Sequence, residues 1–186
     1  MLSVTKVRRP IISNREKIME TVNKYPGLRF HQIKTHTSIA NGTLQHHLEQ
    51  LTKSKTIKIN QQKHIPRYYA FDMEDFNQII LLRLRQNTPS KIIKALLKNE
   101  CQSFSQILKF TQMSPGTVSV YKNMLLKDKI IIGNTDSCAC SKNIADAKIK
   151  YRLTDPHKIR LLVKEYGKTS LKRSVDNLAD IFLSLK

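Results

Sequence analysis

YPGLRFHQIKTHTSIANGTLQHHLEQLTKSKTIKI, residues Tyr25–Ile59, holds a helix stop, a short helix, a turn and a longer amphipathic helix in succession. Tyr25-Pro26-Gly27 ends whatever helix precedes it, and Phe30–His36 reads as a short helix that buries Phe30 and Ile33. Thr37–Asn41 reads as a polar turn. In the helix that follows, expected at about Asn41–Lys53, Leu44, Leu48 and Leu51 recur at i, i+4 and i+7, so one apolar stripe faces a core while Asn41, Thr43, Gln45, His46 and Glu49 face water. His47 lies on the inward side and reads as a core or strand-capping histidine.

Upstream, Ser13-Asn14 can cap a helix over Arg15–Lys24, where Ile18, Met19 and Val22 keep helical spacing. Downstream, Thr56–Asn60 and Pro66–Phe71 read as short strands joined by Gln61-Gln62-Lys63-His64. Three helices followed by a hairpin is the order of a winged helix-turn-helix, whose third helix enters the major groove and whose hairpin lies along the backbone.

The same text recurs 74 positions later. Without a gap, Lys17, Ile18, Phe30, Gln32, Ile33, Thr37, Gly42, Thr43, Leu51, Lys53, Lys55 and Ile57 each meet an identical residue, ending at Ile131. The second copy predicts helices at Ser90–Lys98, Phe104–Phe110 and Pro115–Lys127, with Asn87 as a cap and Pro89 in the first turn. A strand follows at Ile130–Gly133, then a longer wing through Asn134–Ala147 and a strand at Lys148–Leu153. In that strand Ile149, Tyr151 and Leu153 alternate as a packed face with Lys148, Lys150 and Arg152 as a cationic one.

The expected fold is mainly α with small β-hairpins (α+β), a tandem winged helix-turn-helix. Its parts are a first winged-helix domain (1–72), a helical connector (73–87) packed against both modules, a second winged-helix domain (88–155) and C-terminal helices (156–186). The last part divides into Pro156–Tyr166 and Thr169–Leu185, where Leu171, Val175, Leu178, Phe182 and Leu185 form a seam suited to a homodimer or to the second module.

Charge points to the partner. The 33 basic and 14 acidic residues leave +19, distributed as +9 over 1–72, 0 over 73–87, +6 over 88–155 and +4 over 156–186. Two cationic bodies flank a neutral segment, which suits a polyanion. Amide side chains can bond adenine bidentately and a threonine methyl can touch thymine, so the exposed face of the third helix suits base edges.

The stretch quoted at the outset, with Pro26, Gly27, Gly42, Thr43, Leu44, His47, Leu48 and Leu51 as its marks, resembles archaeal winged-helix transcription regulators related to the ArsR and MarR groups. The resemblance is strongest over Ser13–Phe71 and weaker over Thr88–Leu153. It implies contacts to double-stranded DNA from Asn41, Thr43, Gln45 and His46, with a basic wing tip at Lys63, His64 and Arg67, while the charge of Lys53 suits a phosphate contact. In the second copy the matching positions are Pro115, Thr117, Ser119 and Val120, with Lys148, Lys150 and Arg152 on the backbone. Two departures stand out: Lys122 occupies the place of Leu48, and Val120 that of His46, which suits either a module that holds the backbone more than it reads bases or one whose helix is rotated.

Other readings weigh less. A winged-helix scaffold for protein partners is the alternative, and an RNA-binding factor a third, weakened by six Tyr and six Phe that form no stacking platform. Cys138-Ala139-Cys140 invites a metal or redox site, as in ArsR relatives, yet only the distant Cys101 or His157 could complete it. An ordinary loop is the expectation there, with no cofactor. Three cysteines form no even disulfide set, which suits a reducing, cytoplasmic setting. No secretory signal or membrane span is read, and no phosphate loop or paired carboxylates suggest an enzyme.

Overall fold

The computed structural model describes residues 12–62, 65–134 and 149–170. The chain divides into two compact units, Met1–Met73 and Glu74–Lys186. Both are mainly helical with small antiparallel sheets.

The first unit contains α1 (Asn14–Lys24), α2 (Phe30–Thr37), α3 (Asn41–Lys53), β1 (Ile57–Gln62) and β2 (Ile65–Ala70). Helix α1 starts in a capping box: the Ser13 hydroxyl accepts the Glu16 N–H at 3.2 Å, and the Glu16 carboxylate accepts the Ser13 N–H at 2.8 Å. That leaves Asn14 inside the helix and Ser13 alone as its cap. Helix α2 ends on Ser38, whose left-handed φ of 56° closes the last turn through its N–H to the Lys34 carbonyl. The expected polar turn is more than polar, because Ile39 within it is buried and joins the core. Ile18, Val22, Leu28, Ile33, Leu44, Leu48, Leu51, Ile57 and Tyr68 join it there, with Phe30 packed against them only partly buried.

Strands β1 and β2 pair antiparallel from Ile57↔Ala70 to Gln62↔Ile65, so Gln61 and Gln62 belong to the strand and not to the connection. Leu28 adds a bridge to Tyr68, with the Gly27 N–H donating to the Tyr68 carbonyl at 2.8 Å. Only glycine suits position 27: its φ is +82°, and a Cβ there would lie 2.8 Å from the Tyr69 hydroxyl.

The second unit contains α4 (Asp75–Leu84), α5 (Asn87–Lys98), β3 (Gln102–Ser103), α6 (Phe104–Thr111), α7 (Pro115–Lys127), β4 (Ile131–Asn134), β5 (Lys150–Leu153) and α8 (Pro156–Ser170). Its sheet runs β3-β5-β4. The bounds of α2 and α3 recur in α6 and α7 at the offset of 74, and so do the left-handed residues, Ser38 with Gln112 and Lys55 with Lys129. The hairpins show where the register changes. Ala70 faces Ile57 whereas Leu153 faces Ile131, an offset of 83, so the second hairpin carries nine more residues than the first. Tyr151 thereby takes the place of Tyr68, pairing with Gln102 as Tyr68 pairs with Leu28.

Several expectations are corrected in this unit. Helix α5 begins at Asn87 with Gln86 as its cap, so Asn87 does not cap it. Ile149 precedes β5 and is exposed; only Tyr151 and Leu153 form the packed face. Helix α8 continues past Tyr166 and through Gly167, because Ile159, Leu162 and Val163 bury one stripe and a lone glycine costs a helix only about 1 kcal/mol. The seam from Leu171 to Leu185 lies outside the described residues.

Helix α4, read from sequence as a connector, is built into the second unit. Ile80, Leu81, Leu82 and Leu84 are buried, and Arg83 pairs through Nε with the Asp128 carboxylate at 2.6 Å, tying α4 to the end of α7. Lys158 of α8 pairs with Glu74. The zero net charge of residues 73–87 comes from Glu74 and Asp75 offsetting Arg83 and Arg85 on an otherwise apolar stretch, and the partner of Arg83 lies outside it.

Candidate nucleic-acid interface

The candidate site rests on α3, whose apolar stripe is consumed by the core. What remains outward is polar: Asn41, Thr43, Gln45, His46 and Glu49 are all exposed, as their spacing predicts. Gly42 lies among them in helical conformation, with open space where a Cβ would stand. His47 is half-buried, its ring edge-on to His46 at 5.7 Å between centroids.

Gln45 is not a free amide. Its Nε2 donates to the Glu49 carboxylate at 3.1 Å, one helical turn away. Both side chains border a groove of about 690 Å³ between α3 and the hairpin, lined by Phe30, Leu48, Ile59, Pro66 and Tyr68. Burial, with the nearby Glu49 charge adding to it, pushes the Tyr68 hydroxyl above its usual range. Lys53 is exposed at the end of α3 and borders the same groove.

Beyond α3 lies the β1–β2 hairpin. Lys63 and His64 lie outside the described residues. Arg67 is two pairs back from the last rung of the hairpin and half-buried, and its Nη1 donates to the Gly27 carbonyl at 2.7 Å. Its guanidinium braces the Pro26-Gly27 stop against β2, a structural use that the sequence reading did not foresee.

In the second unit α7 presents a different face. Ser114 caps the helix by accepting the Thr117 N–H at 3.3 Å, and the two hydroxyls share a hydrogen bond at 2.8 Å. Thr117 and Ser119 are half-buried, while Pro115, Gly116 and Val120 are exposed. Lys122, in the place of core residue Leu48, lies 5.5 Å from the Phe104 ring and 5.1 Å from the Tyr151 ring, and its ammonium donates to the Tyr151 hydroxyl at 3.3 Å. The aromatic faces and that bond accommodate a charge where leucine stood, so the helix keeps its bounds. Lys148 lies outside the described residues, Lys150 is half-buried and Arg152 exposed.

Sequence reasoning missed the Gln45–Glu49 pair, the groove and the Lys122 seat. The first was readable as a Gln and a Glu at i, i+4; the others needed Tyr68 and Tyr151, whose equivalence the nine extra residues hide. Cys101 is disulfide-bonded, with its partner outside the described residues, which corrects the expectation of unpaired thiols. Cys138 and Cys140 also lie outside them. Among the described residues no three His, Cys, Asp or Glu side chains come together to hold a metal, and no helix is long and apolar enough to cross a membrane.

Residues 12–81 match the family described as HTH_HVO_0163_N, N-terminal HTH domain, which supports a helix-turn-helix family for the first unit and its α2–α3 pair. No curated protein matches the chain.

Proposed function

We propose that this protein is a sequence-specific double-stranded DNA-binding transcription regulator that uses two winged-helix modules, of the kind found in ArsR- and MarR-like proteins. The carrying observation is the outward face of α3, polar over its first two turns, within the segment that matches a helix-turn-helix family. The charge of +19 supports a polyanionic partner. Asn41, Thr43, Gln45 and His46 read bases, while Lys53, Lys63 and His64 hold phosphates. Arg67, tied to Gly27, orients the hairpin. The second module holds the backbone through Lys148, Lys150 and Arg152, since Thr117 is bonded to its own cap and an apolar Val120 stands at a reading position. The role is non-enzymatic, and the chain forms a homodimer through its C-terminal helices, as read from the sequence.

Two measurements test this. Selection of bound duplexes from a random pool should recover a common motif, and affinity for it should fall about 10³–10⁵-fold between roughly 50 and 200 mM salt if about 6–10 phosphates are engaged. Affinity indifferent to salt would remove the mechanism. Asn41→Ala should cost about 1–3 kcal/mol on the selected duplex and relax preference at one base pair; unchanged preference there would displace α3 as the reader.

A further inference from the structure

Glu49 is an anomaly for a surface that meets phosphates. Between Glu20 and Asp72 it is the only acidic residue, against eight lysines and arginines, and it stands on the exposed face of α3. A carboxylate there repels the backbone that the surrounding cations attract, so it weakens binding to every sequence alike. On that face the Gln45 Nε2 donates to it at 3.1 Å, its one polar side-chain contact among the described residues.

That contact has a chemical consequence. An ionised carboxylate only accepts hydrogen bonds, so the Gln45 amide is forced to turn its NH₂ group toward Glu49. One N–H is then occupied, and the amide keeps one N–H donor and its carbonyl acceptor. A donor beside an acceptor is the pattern that complements N7 and the N6 amino group of adenine in the major groove. The second unit has neither partner: the corresponding residues are Ser119 and Asn123, and α7 contains no acid at all.

Resting on the DNA-binding reading above, we propose that Glu49 is a positioning residue that fixes the Gln45 amide for adenine, exchanging general affinity for discrimination at one A·T pair. Glu49 touches no base; it acts through Gln45. The first module therefore carries the discrimination and the second contributes affinity without it.

The test is a double-mutant cycle on the full chain, using a duplex selected from a random pool, variants of it with each A·T pair changed to G·C, and an unrelated duplex. Gln45→Ala identifies the pair that Gln45 reads, as the position whose penalty disappears. At that position Glu49→Ala should cut the penalty at least about fivefold, the low end of a bidentate contact. Affinity for the unrelated duplex should rise. The double variant should discriminate no worse than Gln45→Ala alone.

Undiminished discrimination in Glu49→Ala overturns the proposal, as does a loss that persists in the Gln45→Ala background, because Glu49 would then contact the base itself. Either result leaves the DNA-binding reading standing. A wild-type chain that binds no duplex overturns both.

Discussion

Removing Asp128 should destabilise the second unit far more than removing both members of its ion pair. Arg83 is 8% exposed on α4, and its Nε meets the Asp128 carboxylate at 2.6 Å; its other side-chain bond is a longer one, 3.3 Å, to the neutral Gln86 amide. In Asp128→Ala the largely buried guanidinium loses that counter-charge. Orphaning a fully buried ion costs about 3–5 kcal/mol, and the residual exposure of these side chains, 10% and 16%, lets water recover part of that. The expected loss is about 2–3 kcal/mol, which lowers the melting temperature by roughly 8–20 °C in a unit of this size. Far-ultraviolet circular dichroism follows the melt, with the transition of the first unit as an internal reference. Arg83→Met combined with Asp128→Leu should cost less than about 1 kcal/mol, since apolar groups of similar volume can replace a buried pair. A single variant melting within about 2 °C of wild type, or a double variant as unstable as the single, would refute the reasoning.

Gly27→Ala should destabilise the first unit by more than about 1 kcal/mol in a urea titration, because the residue has φ +82° and the new methyl would press on the Tyr69 hydroxyl. The capping box gives a pH dependence: hydrogen bonds from the Ser13 N–H and hydroxyl hold the Glu16 carboxyl below its ordinary range. A lowered folded value means that the contribution is complete above the ordinary carboxylate range and disappears as pH falls through the lowered value. Glu16→Gln, which removes the titrating carboxyl, should therefore flatten the acid limb of the first unit's stability, and identical acid titrations for the two proteins would contradict the assignment.

Periodicity decided a good deal before any coordinates. The 74-residue repeat, the bounds of α3 and α7, the burial of Leu44 and Leu51, and the outward turn of Asn41, Thr43, Gln45 and His46 all follow from local spacing, because a helix face is set by residues three and four apart. Contacts across the chain were not available from spacing. That Arg67, read as a phosphate ligand, also donates to the Gly27 carbonyl forty residues away needed the hairpin, and Lys122 looked misplaced until Phe104 and Tyr151 came within reach of it. Residues 73–87 read as a neutral connector because sequence cannot show that Arg83 meets Asp128 across 45 residues. The seat of a charge depends on which groups fold around it, and that neighbourhood exists only once the chain has closed on itself.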